Sequence, residues 1–230
     1  MQRSALSSSA ITRAPQVNVY APPFPRLPHV STRSAIKRTM DIAGACVGLL
    51  ILGLLFVPVA IAIRLDSKGQ VLYSQQRFGL QGKPFRIWKF RSMVSNADAL
   101  KNTIANEAQG LIFKNTCDPR VTRVGRFLRK TSLDEFPQFW NVLKGDMSLV
   151  GTRPPTADEV AQYSERHWRR LDVRPGLTGQ WQVSGRSEIK DFEEIVNLDL
   201  QYQRHWTPMY DVKLIVKTVT TLLSKRSGAY

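Results

Sequence analysis

Apolar positions divide this chain into a polar start, one long uncharged run and a mixed remainder. From Ile42 to Ile63 no charged residue occurs. A straight helix over that stretch reaches roughly 33 Å, about one bilayer hydrocarbon core. The pattern therefore predicts a membrane segment rather than a buried core helix. Pro58 lies inside it and removes a helical hydrogen bond. Basic residues flank both ends, with Arg33, Lys37 and Arg38 before and Arg64 and Lys68 after. The positive-inside bias normally marks one end only. A re-entrant helix broken at Pro58, with both ends on the cytoplasmic side, fits this symmetry better than a straight span. Gly44 and Gly48 form a G-x-x-x-G pair, a weak signal for a homodimer.

After Leu65 the periodicity changes. The stretch "QVLYSQQRFGLQGKPFRIWKFRSM" predicts two short strands joined by a turn around Gly79 to Gly82. On the second strand Lys89 and Arg91 share a side, which suits either a solvated edge or an anion site. Residues 94–108 suggest a polar helix, and another opens at Ser132. Arg174 to Arg186 reads as a glycine-broken loop. Helices are expected over about 190–204 and 209–224. The last places Val212, Ile215, Val216, Val219 and Leu222 beside Lys213 and Lys217. It serves equally as a core helix or as one lying in a headgroup layer.

Residues 1–36 contain no Asp or Glu and are rich in Ser and Pro, the composition of a mobile basic tail. The organisation expected is thus a tail over 1–36, a membrane-associated broken helix over 37–64 and a cytoplasmic domain over 65–230. The fold class is α/β, helix-rich and membrane-anchored. Composition narrows the partners. The 230 residues carry 33 Lys and Arg against 18 Asp and Glu, a net charge of +15. Nucleic acid, an anionic membrane surface or a phosphorylated substrate would all suit this excess. Two cysteines, Cys46 and Cys117, make no disulfide framework.

The stretch "SLDEFPQFWNVLKGDMSLVGTRPP" changes the picture by placing Asp134 and Glu135 among arginines. Ser132-x-x-Glu135 matches a capping box, in which the pair merely starts a helix. The alternative is a phosphate site. An ionised carboxylate can attack phosphorus, a second can hold a divalent metal, and arginines supply the fork that grips phosphate. Phosphoryl transfer needs this combination. The three His are scattered and make no competing zinc site. A backbone-binding nucleic-acid surface would be repelled by the acidic pair, so nucleic acid is not expected as a partner.

The order of "KR" before an apolar run, "GKPFRIWKFRSM", "DPRVTRVGRFLRKTSLDEFPQFWNVLKGDMSLVGTRP" and "RPGLTGQWQVSGR" resembles the bacterial sugar transferase family, the monotopic phosphoglycosyl transferases. The match runs from about Lys37 to Ser224. The resemblance implies transfer of a sugar 1-phosphate from a nucleotide sugar, usually a UDP-sugar, to polyprenyl phosphate on the cytoplasmic leaflet of the bacterial inner membrane. This step begins an exported glycan such as an exopolysaccharide. It implies Asp134 as a nucleophile that forms a phosphosugar-aspartyl intermediate, and Glu135 as its partner in metal binding or proton handling. Mg²⁺ or Mn²⁺ is the implied cofactor, with Asp134 and Glu135 as its ligands. Arg153 matches a phosphate-contacting arginine, with Arg129 and Lys89 as companions and Arg91 beside them. Lys37 and Arg38 match a basic pair at the headgroups. The family often has Pro-Arg-Pro where this chain has Thr152-Arg153-Pro154, and its helix break falls about one turn before Pro58.

Overall fold

A computed structural model describes residues 25–185 and 188–224. Its longest element is α1, Ala35–Asp66, which continues through Pro58 as one helix. The expected break is therefore not seen. The proline removes one donor, but the helix runs on unbroken on either side of it. α1 is long and apolar enough to cross a membrane, with mean hydropathy 2.9 and only 11% of its most apolar window buried.

Both ends of α1 nevertheless rest on the same body. Near its start Lys37 donates to Asp211 (2.6 Å) and to the Val150 carbonyl (2.9 Å). One turn on, Asp41 accepts from the Ser148 hydroxyl and the Leu149 amide, both at 2.8 Å. Near its end Ile63 packs with Phe90 and Leu128, and Asp66 accepts from the Val124 amide at 2.8 Å. Gly44 and Gly48 allow this docking. A Cβ on Gly44 would lie 2.5 Å from Leu149, and one on Gly48 2.4 Å from the Phe139 ring. The G-x-x-x-G pair thus packs against Leu149 and Phe139 of the same chain.

The remaining strands form two small sheets. β1 (Leu72–Phe78) and β2 (Pro84–Phe90) make the expected antiparallel hairpin, registered Leu72↔Phe90 to Phe78↔Pro84. β3 (Ser148–Val150) pairs in parallel with β4 (Gly176–Thr178). β4 and the short α6 (Gln180–Val183) lie within the stretch read as loop. Between β2 and β3 come α2 (Arg123–Lys130), a 3₁₀ helix over Leu133–Gln138 and α3 (Phe139–Lys144). Short helices α4 (Ala157–Val160) and α5 (Glu165–Trp168) lead to β4. The chain closes with the two expected helices, α7 (Phe192–His205) and α8 (Pro208–Leu223).

Two further expectations fail here. Residues 94–108 form turns and a short 3₁₀ helix over Lys101–Thr103, not a polar helix. Asn96, Asp98, Asn102 and Thr103 can bond their own backbone, which favours turns. Residues 25–34, assigned to a mobile tail, are packed: Arg26 pairs with Asp172 and the His29 amide bonds the Asp172 carbonyl at 2.8 Å. The rest of that tail, residues 1–24, lies outside the described residues.

Candidate active site

The site is built where α2 ends. Thr122 caps α2 by accepting from the Gly125 amide at 3.0 Å. Gly125 is required there, since a Cβ would lie 2.0 Å from the Ser92 carbonyl. The close approach seats α2 against the end of the hairpin, where Arg129 Nε donates to Ser92 Oγ at 3.0 Å. The chain then turns at Ser132, which takes a left-handed conformation (φ 55°, ψ 18°). This redirects it into the 3₁₀ helix that carries Asp134 and Glu135.

The capping box is absent. Ser132 makes no side-chain cap bond, and its left-handed backbone is wrong for an N-cap, which is normally extended. The Glu135 carboxylate is instead engaged by Lys89 of β2, Nζ to Oε1 at 3.0 Å. Asp134 is buried, at 7% exposure. Glu135 is the member of the pair that lines the adjoining cavity.

That cavity has a volume of about 1500 Å³. Gly44, Val47, Gly48 and Ile51 of α1 form one wall, and Ile215, Val219 and Leu222 of α8 form another. Its charged lining comprises Asp118, Arg126, Arg129, Lys130, Glu135 and Glu188. The sequence pattern allows α8 to be a core helix or an interfacial one, and the structure shows one buried face and one exposed apolar face. Leu214 and Asp211 are buried, while Val212, Val216 and Val219 are exposed.

Arg153 follows β3 and is tied to Glu159, Nη1 lying 3.0 and 2.9 Å from the two carboxylate oxygens. Its loop is held tightly. The Thr152 hydroxyl donates to the Arg170 carbonyl at 3.0 Å, a bond that the proline common at this position in the family could not make. A Cβ on Gly151 would lie 2.2 Å from the Arg174 carbonyl. β1 grips the same loop, with the Phe78 amide on the Pro155 carbonyl (3.1 Å) and Arg77 Nη1 on the Pro154 carbonyl (3.0 Å).

Three expected site residues do other work. Arg91 is buried and points away from Lys89, because β2 ends at Phe90. Its guanidinium bonds the Ser67 and Lys68 carbonyls at 2.7 and 2.9 Å, closing the end of α1. Lys37 is 5% exposed and ion-paired, so it does not reach headgroups. Arg38 bonds the Val142 and Leu143 carbonyls at 2.8 and 2.6 Å, satisfying the last turn of α3.

Sequence reading missed Arg77. Burial, then the neighbouring Arg153 charge, lowers its guanidinium to about 10, while Glu159 and Glu135 act in the opposite direction. Arg77 therefore sits within the fields of both the arginine loop and the acidic pair. Its parity with Lys89 across the hairpin was the available signal.

No group of three or more His, Cys, Asp or Glu placed to hold a metal occurs among the described residues. Asp134 and Glu135 alone still suit Mg²⁺, which takes one or two carboxylates and completes its shell with phosphate oxygens and water.

Comparison with known proteins follows the same outline. A family model described as bacterial sugar transferase matches residues 32–225. The chain is 51% identical over 189 residues to a galactosyl transferase, CpsE, of Streptococcus agalactiae serotype III, covering 81% of this chain and 42% of that protein. It is 44% identical over 201 residues to an undecaprenyl-phosphate galactose phosphotransferase of Salmonella typhimurium, covering 85% and 42%. It is 38% identical over 200 residues to the exopolysaccharide production protein ExoY of Rhizobium meliloti, covering 84% and 88%. The chain thus spans less than half the length of the first two relatives and most of the third.

Proposed function

The chain belongs to the bacterial sugar transferase family, and we propose that it is a phosphoglycosyl transferase that moves a hexose 1-phosphate from a UDP-sugar to polyprenyl phosphate. One observation carries this reading: a single cavity is lined both by Arg126, Arg129, Lys130 and Glu135 and by apolar side chains of α1 and α8. Such a lining suits an acceptor with a phosphate head and an isoprenoid tail. Relatives that include an undecaprenyl-phosphate galactose phosphotransferase and a UDP-glucose:undecaprenyl-phosphate glucose-1-phosphate transferase of Escherichia coli favour, by their names, the same donor and acceptor classes.

In this mechanism a carboxylate oxygen of Asp134 attacks the sugar-bearing phosphorus of the donor. The bond from that phosphorus to the bridging oxygen breaks, and UMP departs with the electron pair. The polyprenyl phosphate oxygen then attacks the phosphosugar-aspartyl phosphorus. The aspartyl–phosphorus bond breaks, restoring the carboxylate and leaving a polyprenyl diphosphate sugar. Lys89 fixes Glu135 beside the reacting centre, and Arg129 and Arg153 orient phosphate oxygens through charge-assisted bonds. Mg²⁺ or Mn²⁺ held by Asp134 and Glu135 would offset diphosphate charge.

A second assignment has its own support, because Glu135 lines the cavity whereas Asp134 is buried. Trapping the enzyme with a labelled donor in the absence of acceptor, then mapping the modified residue, separates the two. Folded Asp134→Asn protein should release no UMP; near-normal release would transfer the nucleophile's role to Glu135.

The anchoring of both ends of α1 on one body also bears on topology. We infer that the unbroken helix lies along one face of the bacterial inner membrane with both ends on the cytoplasmic side, where the catalytic body also sits. A straight span would have to pull Lys37 and Asp41 from their buried partners. The test of the whole reading is a turnover assay of the purified protein with undecaprenyl phosphate, Mg²⁺ and a panel of UDP-hexoses. Failure to release UMP with any donor in the panel would refute it.

A further inference from the structure

The cations around the acidic pair are not equivalent. Lys89 already holds the Glu135 carboxylate, and Arg153 already holds that of Glu159. Arg77 differs. Its hydrogen-bond acceptors are neutral: Gln75 Oε1, from Nε at 3.0 Å and Nη2 at 2.7 Å, and the Pro154 carbonyl. A guanidinium has five N–H donors, and these contacts leave two of them for another acceptor.

Its placement follows from the hairpin. Arg77 pairs with Phe85, and Lys89 pairs with Tyr73. Cross-strand partners project from the same face, as do residues two apart on one strand. Tyr73, Gln75, Arg77 and Lys89 therefore share the face that meets the Glu135 helix. Lys89 approaches Glu135 from one end of that face. Arg77 stands at the other end, roughly 13 Å away along the strand, where it braces the Arg153 loop. Its side chain is half-buried, so its charge is less screened than that of a surface arginine.

We propose that Arg77 is a further anion-binding residue of this reaction, placed with Arg153 to take phosphate oxygens of the donor diphosphate. The assignment rests on the phosphoglycosyl transferase reading for its natural ligand, but not for its chemistry. Arg153 and Glu159 together carry no net charge, so Arg77 supplies the cationic excess on this side of the acidic pair. Gln75 presets the guanidinium plane through its two bonds, and the Pro154 carbonyl fixes its depth. An incoming diphosphate then meets two forks whose orientation is already set. The charge seen at Arg77 from Arg153 and Glu135 agrees with this geometry.

The experiment is a calorimetric titration of Mg²⁺–pyrophosphate into the full chain in lipid nanodiscs. Wild type is compared with Arg77→Gln, Arg77→Lys and the surface control Lys101→Gln, whose partner Asp158 is exposed. Arg77→Gln should weaken pyrophosphate binding about thirtyfold, the scale of a lost charged hydrogen bond. Arg77→Lys should weaken it by roughly threefold to tenfold, because the charge stays while the fork is lost. Lys101→Gln should bind as wild type. Should Arg77→Gln fail to fold, the lysine variant decides alone. Wild-type affinity in the folded Arg77 variants, with or without a lower melting temperature, would show that Arg77 only braces the Pro154 loop and would overturn the proposal. So would a wild type that binds no pyrophosphate. Titration needs no turnover, so binding that depends on Arg77 in a protein inert to every UDP-hexose would sink the proposed reaction and leave the anion site standing.

Discussion

Removing the partner of Lys37 should unfold this protein long before a headgroup lysine would matter. Lys37 and Asp211 are 5% and 1% exposed, and their charges lie 2.6 Å apart. Asp211 also accepts from Tyr202 Oη at 2.7 Å and from Trp206 Nε1 at 3.1 Å. Asp211→Leu leaves a buried ammonium hydrogen-bonded only to the Val150 carbonyl and the Tyr202 hydroxyl, with the Asp41 charge one turn away, and such a break costs about 3–5 kcal/mol. For a domain of this size each kcal/mol lowers the melting temperature by about 2–4 °C, so the expected fall is roughly 6–20 °C. Lys37→Met should cost a similar amount by stranding Asp211. The double variant should recover most of the loss, because well-packed apolar pairs replace buried ion pairs at little net cost. Full recovery is not expected, since Trp206 Nε1 loses its acceptor. The assay is thermal melting of all four proteins in nanodiscs, with the exposed Lys101–Asp158 pair as a control worth under ~1 kcal/mol. Additive single effects below about 1 kcal/mol would refute the buried pair and restore Lys37 to the lipid headgroups.

Three shorter tests address the site and the anchor. Gly48→Ala should destabilise by about 1–3 kcal/mol through its clash with Phe139, whereas Gly53→Ala, with open space around it, should be neutral or stabilising by up to about 1 kcal/mol; equal melting of the two variants would contradict the docking of α1. Arg153→Lys should lower kcat/KM by about 10–100-fold through loss of the fork, with melting nearly unchanged; a silent substitution would remove Arg153 from the site. A cysteine at the exposed Leu27, with Cys46 and Cys117 replaced by serine, should stay unlabelled by an impermeant thiol reagent in intact cells, and labelling from outside would mean that α1 spans.

Periodicity was enough for the hairpin, for α7 and α8, and for the apolar length of α1, because each is a local pattern with one dominant spacing. The acidic pair was also legible as a candidate site, because it stands among arginines in one dense motif, but the bond from Lys89 to Glu135 was not, since Lys89 reads from the sequence as a phosphate contact. What escaped was decided by partners distant in sequence. Nothing near Lys37 reveals that Asp211 will bury it, and a basic residue before an apolar run reads naturally as a headgroup contact. Arg91 keeps the strand's parity on paper, yet the strand ends one residue earlier and the side chain turns to the end of α1. Ser132 satisfies the capping-box spacing, but that pattern is blind to a left-handed backbone. Arg77 went unnoticed because its partners are an amide and a carbonyl, which no charge pattern signals.

The Lys37–Asp211 bond also sets an order of events during synthesis. Its two residues are separated by 174 positions, so at about 5–20 residues per second the ribosome needs roughly 10–35 s to deliver the second after the first. The apolar segment emerges and meets the bilayer while its permanent contacts on α8 do not yet exist. During that interval only the flanking positive charges oppose translocation of its leading end. Once α8 arrives, a buried ion pair takes over from that electrostatic bias. The placement of α1 is then locked by a residue made 174 positions later.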